Sequence, residues 1–407
     1  MRRRLVAGLV AGTFLGALAV IGACAAITGV NDLIEVPCVG ASCATGGDSG
    51  SSLQDGDAGD TTTGPFDVGP DGACSTGLTA CTGHCVELAT NGENCGSCGH
   101  SCLGGSCASG ACQAATLATV GGQPIAIAVS AANVYFAVYA TAPGGYVGAV
   151  PQDGGSAQPL VTGQNTPRHL AVDAQHIYWV DTGAGGSVMM AALDGTNPVA
   201  LASSVDDPWG LAVDGTAVYW AVEGSGDAGA IKTCPIMGCV QAATIASGLS
   251  RPAGVVTGGN DVYWTEAIDG GAIDTCAKSG CAGAPRTVAV AQNDPTSIAI
   301  NGSNLVWVTD ADGTVMTASL AAAIFSPTKL IGAEPSSGAF STPVAADESN
   351  VYWTNQNDQT IRSCAISGCG GVAKILATGQ ASAGIAVDAT AVYWTDYMRG
   401  TVMRLAK

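Results

Sequence analysis

The chain has 407 residues, enough for two or three domains. Its 58 glycines are about twice the usual share, and charged residues make up only 11%, which excludes long charged helices. A formal charge of -18 repels polyanions, so no nucleic-acid partner is expected. Seventeen cysteines are too many for a reducing compartment unless they hold metal.

Met1-Arg2-Arg3-Arg4 is basic, and residues 5–23 form an apolar run without a charge. A secretory signal and a membrane anchor both fit that run. The tie-breaker is Ile21-Gly22-Ala23-Cys24, where small residues directly precede a cysteine. This resembles the lipoprotein box of bacterial lipoproteins. The resemblance implies a signal peptide over 1–23, cleavage before Cys24, a diacylglycerol on its side chain and an acylated (palmitate-type) amino terminus. Each buried CH₂ of such chains contributes about 0.8 kcal/mol to membrane binding. Ala25 after the cysteine, in place of Asp, implies the outer membrane, so the expected location is the cell envelope.

Residues 24–73 read as a tether. Cys38 and Cys43 are close enough in sequence for a local disulfide. Residues 46–72 are rich in Gly, Ser and Thr and carry Asp48, Asp55, Asp57, Asp60, Asp67 and Asp71 with no Lys or Arg. Such a stretch buries too little apolar surface to offset its chain entropy, and like charges extend it. Asp55-Gly56-Asp57-Ala58-Gly59-Asp60 has a faint calcium-loop flavour but lacks the closing glutamate.

Residues 74–113 hold Cys74, Cys81, Cys85, Cys95, Cys98, Cys102, Cys107 and Cys112 with few large apolar residues between them. Covalent links must replace the missing core. Zinc held by Cys81, Cys85, Cys95 and Cys98, with His84 and His100 at hand, is the competing reading. The export signal favours four disulfides, whose connectivity stays open. Asn94-Cys95-Gly96-Ser97-Cys98-Gly99 resembles Stig1-like cysteine-rich modules.

From residue 114 to 407 one phrase recurs: apolar-Ala-Val-Asp, a short turn, then Val-Tyr-Trp-Thr-Asp. Its aromatic cores are Tyr135-Phe136, Tyr178-Trp179, Tyr219-Trp220, Tyr263-Trp264, Val306-Trp307, Tyr352-Trp353 and Tyr393-Trp394. A spacing of about 42 residues is that of a four-stranded propeller blade. In the last copy Ile385-Ala386-Val387 is a short buried strand and Val392-Tyr393-Trp394-Thr395 a β-branched and aromatic one. Thr401-Val402-Met403-Arg404-Leu405 is a third strand, and there the chain ends. Ala115-Thr116-Leu117-Ala118-Thr119-Val120 looks like the missing fourth. The expectation is therefore an all-β, seven-bladed β-propeller closed by an N-terminal strand, which removes exposed edges. The phrase resembles the YWTD repeats of lipoprotein-receptor ectodomains. Those propellers have six blades, which makes six the runner-up; seven copies fit better with bacterial propellers similar to the NHL and virginiamycin-lyase groups.

Cys234/Cys239, Cys276/Cys281 and Cys364/Cys369 each flank a four-residue hairpin loop, so each pair reads as a staple. One lipidated cysteine plus sixteen paired ones leaves no orphan.

The loops entering the inner strands should meet at the channel mouth. Their leading residues are Ile125, Arg168, Trp209, Ala253, Thr296, Thr342 and Ala383, followed by Ala126, His169, Gly210, Gly254, Ser297, Pro343 and Gly384. Most are small and unreactive. His169 is a weak catalytic candidate, raised a little by the channel-mouth histidine of virginiamycin-lyase relatives. Arg168, His169, Trp209 and Arg251 are the ligand-binding candidates, an aromatic and cationic anchor for a carboxylate or sugar. Asp181, Glu223, Glu266, Asp310 and Asp396 follow the aromatic pairs. They are weak metal candidates, as in lactonase-type propellers, or turn-capping acids. No cofactor is implied. The leading expectation is a monomeric, membrane-anchored binding module for protein or glycan; the alternative is a propeller enzyme of lyase or metal-dependent lactonase type.

Overall fold

The computed structural model describes residues 74–281, 283–322, 324–332 and 342–407, together with the backbone of Phe66–Asp67. The lipoprotein box, Cys24, Cys38, Cys43 and the acidic tether lie outside these residues. Seven antiparallel sheets of four strands form the body. From first to last strand they span Gln123–Val129 to Gln158–Gln164, Pro167–Val172 to Val199–Ser203, Pro208–Val213 to Ala243–Leu249, and Pro252–Gly258 to Arg286–Asn293. The fifth spans Pro295–Asn301 to Thr328–Ile331, and the sixth Val344–Ala346 to Lys374–Ala377. The seventh joins Ser382–Val387, Ala391–Asp396 and Thr401–Ala406 to Ala115–Thr119.

That last pairing closes the ring. Thr401 faces Thr119, Val402 faces Ala118, and Arg404 faces Ala115. The inner strands touch in cyclic order, Gln123–Val129 lying against both Pro167–Val172 and Ser382–Val387. A seven-bladed propeller results, as the repeat count requires.

The core lies between blades. Each sheet is apolar on both faces, so neither face is stable until a neighbour covers it. Tyr263 and Ile273 of the fourth blade pack with Ile298, Leu305 and Trp307 of the fifth. The same happens around the ring, and the six repeat tryptophans, Trp179, Trp220, Trp264, Trp307, Trp353 and Trp394, are the largest buried side chains. Trp179 Nε1 donates to Gln164 Oε1 at 2.9 Å, Trp307 to Gln292 at 2.8 Å and Trp394 to Gln380 at 2.9 Å. Each bond ties a blade to the chain leaving the blade before it. Val205 and Leu249 occupy the corresponding register positions in the next two seams, and there the indole nitrogens of Trp220 and Trp264 find no acceptor.

The aspartate of the Ala-Val-Asp phrase does a second job. Asp173, Asp214, Asp347 and Asp388 each accept two backbone amides of their own turn through Oδ1. Through Oδ2 each accepts the hydroxyl of the tyrosine five residues on, at 2.7–3.0 Å. The tyrosine is thus held by its ring in the seam and by its hydroxyl at the rim. The following blade then reaches back to the same spot. Lys278 Nζ lies 2.7 Å from Asp214 Oδ2, Gln152 donates to Asp388, and Lys407 pairs with Asp347.

Pairings of Cys74–Cys85, Cys81–Cys98, Cys95–Cys107 and Cys102–Cys112 hold the small module together. They consume the thiols that a zinc site would need. The module seats on the ring's closing seam. His100 bridges Cys95 O and Lys407 O through its two ring nitrogens, each at 2.6 Å, and Arg404 bonds the carbonyls of Leu103 and Gln152. Cys234–Cys239, Cys276–Cys281 and Cys364–Cys369 close hairpins with Cα separations of 5.1–5.5 Å.

Candidate functional site

On the opposite face, the chain enters four of the seven inner strands through a strained step. Thr166, Asp207, Arg251 and Asp294 all stand directly before a proline with φ between 48° and 56°, a left-handed conformation that costs a non-glycine residue about 1 kcal/mol or more. The strain has a use: the carbonyls of these residues accept the amides of Thr182, Glu223, Ala267 and Asp310, which binds each entering loop to the loop after its second strand. A β-bulge follows in each of these strands, between Arg168 and Leu170, for example, and between Pro252 and Val255. Bulges re-aim side chains, and here they turn the leading residues into the channel.

The channel holds a cavity of about 240 Å³. Twelve of the fourteen leading positions line it; Ala253 and Thr342 do not. At the bulge, most blades place a residue with little or no side chain. A Cβ at Gly210 would stand 2.0 Å from Ala253 O, and one at Gly254 2.9 Å from Ile298. The second blade breaks this rule. His169 occupies its bulge at φ 35°, so a large ring projects where its neighbours leave room.

His169 does not stand alone. Its ring lies 5.5 Å from that of Trp209. The Arg168 guanidinium carbon sits 4.7 Å from the Trp209 ring centre and 5.0 Å from that of Tyr139. The guanidinium is thus within cation–π range of both rings. Burial, aided by the Arg168 charge, holds His169 down at about 4. Its ring is neutral at pH 7 although part of its surface opens to the channel. Tyr139 was hidden in the sequence because it falls one residue past the repeat, at a position that the other copies fill with Thr182, Glu223, Ala267, Asp310, Gln356 and Tyr397 and so give no pattern.

Arg251 stands further out on the rim, its Nε 2.8 Å from Glu223 Oε1. Asp207 lies between Arg168 and Glu223. Burial raises its carboxyl and the Glu223 charge raises it further, against a smaller opposing pull from Arg168. The rim thus sets the two acids Asp207 and Glu223 between the cations Arg168 and Arg251.

The five acids do not converge. Glu223 pairs with Arg251, and Glu266 accepts the Ser250 amide. Asp310 accepts the Thr296 hydroxyl and the Thr342 amide. Asp396 caps its own turn through the Met398 and Arg399 amides. Asp181 differs: burial pushes it up to about 6, and its Oδ1 is buried without a hydrogen bond. Among the described residues, the single group of three potential metal ligands within 4.8 Å is Cys95, Cys102 and Cys112, all in disulfides.

No protein-family model matches this sequence. No curated protein matches it either. Solved structures do match in shape. Virginiamycin B lyase from Staphylococcus aureus is 13% identical with a TM-score of 0.58, covering 72% of this chain and 98% of the lyase. The WD40 repeats of RRP9 are 12% identical with a TM-score of 0.58, covering 72% and 97%. A nidogen/laminin complex is 20% identical over 57% of this chain and 90% of the other, with a TM-score of 0.44. At these identities the likeness is one of fold: the chain is a β-propeller.

Proposed function

We propose that this chain is an exported lipoprotein, anchored in the outer membrane through Cys24, whose propeller is a binding module for a protein or glycan. The observation that carries the reading is the asymmetry of the channel mouth. Four of the five repeat acids are engaged by their own turns or by neighbouring loops, whereas one side alone presents Arg168, His169 and Trp209. A recognition patch needs such a local departure from the repeat, with an aromatic and a guanidinium at its centre. The tether of residues 24–73 would hold the propeller away from the bilayer.

Two measurements test this on the full chain. Labelling with an alkynyl palmitate should tag the wild-type protein and not Cys24→Ala; equal labelling overturns the anchor. A glycan array and a panel of purified envelope proteins should yield a saturable partner lost on Trp209→Ala and kept in Thr390→Ala on the other face. A partner unaffected by Trp209→Ala removes the mouth from the proposal.

A lyase-type enzyme is the second reading, favoured by one observation. His169 is neutral at pH 7 and lies in the channel, so it has a lone pair for a proton. One related-fold structure is described as a catalytically inactive virginiamycin B lyase carrying a histidine-to-alanine change. Turnover of cyclic esters that disappears in His169→Ala would favour this reading over the first.

A further inference from the structure

We infer that a cavity in the seam between the second and third blades is a site for a small neutral carboxamide, whose oxygen accepts the indole N–H of Trp220. The inference goes beyond the mouth reading. This cavity borders the outermost strand of the second blade and shares no lining residue with the axial channel.

The repeat itself shows what Trp220 lacks. In three other seams a glutamine carboxamide oxygen meets the equivalent indole nitrogen at 2.8–2.9 Å. Here Val205 stands at the glutamine's register position, and Trp220 Nε1 is buried without a hydrogen bond. An indole N–H can only donate. A buried donor left unmade costs the folded state, and an occupant that brings the oxygen recovers that cost on binding. A cavity of about 390 Å³ lies at this spot, lined by both Trp220 and Val205. That volume falls within the roughly 300–1,000 Å³ of small-molecule pockets. Trp264 is the comparison inside the same ring. Its nitrogen also lacks an acceptor, but Leu249 at the corresponding position is 4% exposed and packs with Trp264 in one core cluster. Leu249 fills its seam, whereas the shorter Val205 is only half-buried.

The lining sets the rest of the ligand. One cation, Lys232, and one anion, Asp206, border the cavity, so it has no bias toward a charged guest. Lys232 Nζ already donates to Thr244 Oγ1 at 2.7 Å. Desolvating a charge beside the indole costs more than desolvating an amide. Leu201 and Val222 give apolar wall for the alkyl side of the amide, and the exposed Ser203 and Gln241 give hydrogen-bonding groups at the opening. Trp220 Nε1 is sealed from solvent in the free chain, so the entering oxygen displaces the Val205 side chain from the glutamine's place. A simple alkyl carboxamide and the acetamido group of an amino sugar share this chemistry.

The test is NMR of the indole N–H groups in the isotope-labelled full chain, titrated with butyramide, butyrate, butylamine, N-acetylglucosamine and glucose. The Trp220 resonance is assigned by its absence from Trp220→Phe. Butyramide should move that resonance saturably and leave the Trp264 resonance in place. Butyrate and butylamine should bind at least about tenfold more weakly, the worth of one bond to a buried donor. A shift with N-acetylglucosamine and none with glucose makes an acetamido sugar the source of the amide; a shift with butyramide alone makes it a simple carboxamide. Val205→Gln restores the glutamine of the sister seams, so it should abolish butyramide binding and raise the unfolding temperature. Should that variant fold poorly, Trp220→Phe, followed on the ligand signals, should cost butyramide its advantage over butylamine. A Trp220 resonance that no amide moves would overturn the inference. So would butyrate binding more tightly than butyramide, a Trp264 shift as large as that of Trp220, or unchanged butyramide binding in Val205→Gln or Trp220→Phe. The mouth reading fails separately: a partner lost on Trp209→Ala, in a chain that binds no amide at Trp220, upholds the mouth and sinks this site. Amide binding at Trp220 without any such partner does the reverse.

Discussion

Lys407 ties the sixth blade to the seventh, and the ring should feel its loss. Its Nζ pairs with Asp347 Oδ2 of the sixth blade, bonds Asp388 O of the seventh and lies 5.5 Å from the Tyr352 ring centre. Both partners of the ion pair are about four-fifths buried, so it is neither a free surface pair nor a dry one. Burial pushes the Asp347 carboxyl up, but the bonds from Lys407, the Ser349 and Asn350 amides and the Tyr352 hydroxyl outweigh it and hold the group down at about 2. From an ordinary 3.8 that is nearly two pH units, each worth about 1.4 kcal/mol. Lys407 supplies only one of four bonds, and partial solvation screens it. About 1 kcal/mol is therefore the expected cost of Lys407→Met, which keeps the apolar stem. For a ring of this size that lowers the melting temperature by about 3 °C at pH 7. The sign with pH follows from linkage. A carboxyl with a depressed folded pKa stabilises fully above its unfolded value and loses that contribution as pH falls through the folded one. The gap between wild type and variant should shrink from pH 4 to pH 2. Thermal melts of both proteins across pH 2–7, with exposed Lys329→Met as the control, measure it. A gap that is absent at pH 7, or undiminished at pH 2, refutes the argument that Lys407 acts through Asp347.

Other outcomes follow from the same geometry. Asp181 is raised to about 6 by burial, so its charged form opposes folding at neutral pH. Asp181→Asn should raise the unfolding free energy at pH 7.5 by an amount on the order of 2 kcal/mol, and leave it nearly unchanged at pH 4, where the group is already protonated. Tyr178→Phe removes only the hydroxyl bond to Asp173 and should cost about 1.5 kcal/mol in denaturant unfolding; Tyr135→Phe, whose hydroxyl meets a neutral carbonyl at 3.2 Å, should cost less. Replacing Cys234 and Cys239 together by serine should cost at most about 2 kcal/mol, because so short a loop gives little chain entropy. Trp307→Ala should cost about 3–5 kcal/mol by opening a seam, whereas Trp209→Ala should leave stability nearly intact.

The ring was legible in the sequence because its physics repeats. A Trp or Phe of the repeat every 41 to 46 residues names the seam that each blade must bury, and a missing fourth strand in the last copy names the strand that must close it. The entering positions were legible too, since Pro167, Pro208, Pro252 and Pro295 punctuate them in register. What escaped the sequence was pairing across copies. Nothing in Asp173-Ala174-Gln175-His176-Ile177-Tyr178 says that the carboxylate splits its two oxygens between a turn and a hydroxyl. Nothing near Lys278 or Lys407 says that they reach back one blade. Tyr139 was lost for a related reason: it meets Arg168 in space from another blade, and the repeat hides residues that step outside it. Zinc was a live alternative in residues 74–113 because spacing alone cannot separate a thiolate cluster from cystines; the Cα separations of 5.2–5.6 Å do.

The two faces of the ring divide their work, and the division explains where the sequence varies. On the face of the Asp–Tyr turns the same carboxylate is bonded three or four times over, and neighbouring blades share it. A substitution there breaks several bonds together, and four of the seven copies keep the Asp and the Tyr as a pair. On the mouth face the loops are tied by backbone, through carbonyls of left-handed residues before proline. Backbone ties leave side chains unconstrained, so Thr166, Asp207, Arg251 and Asp294 can differ at equivalent positions while making the same bond. The leading residues after them are freer still, limited only by the room at the bulge. That is why the second blade can carry Arg168 and His169 where the third carries Trp209 and Gly210 and the fourth Ala253 and Gly254. A scaffold of this kind can change its ligand without changing its fold. Grafting Gly at position 169 should therefore relieve strain and raise stability while weakening whatever the channel binds; a loss of stability would mean that His169 is there to hold the ring together.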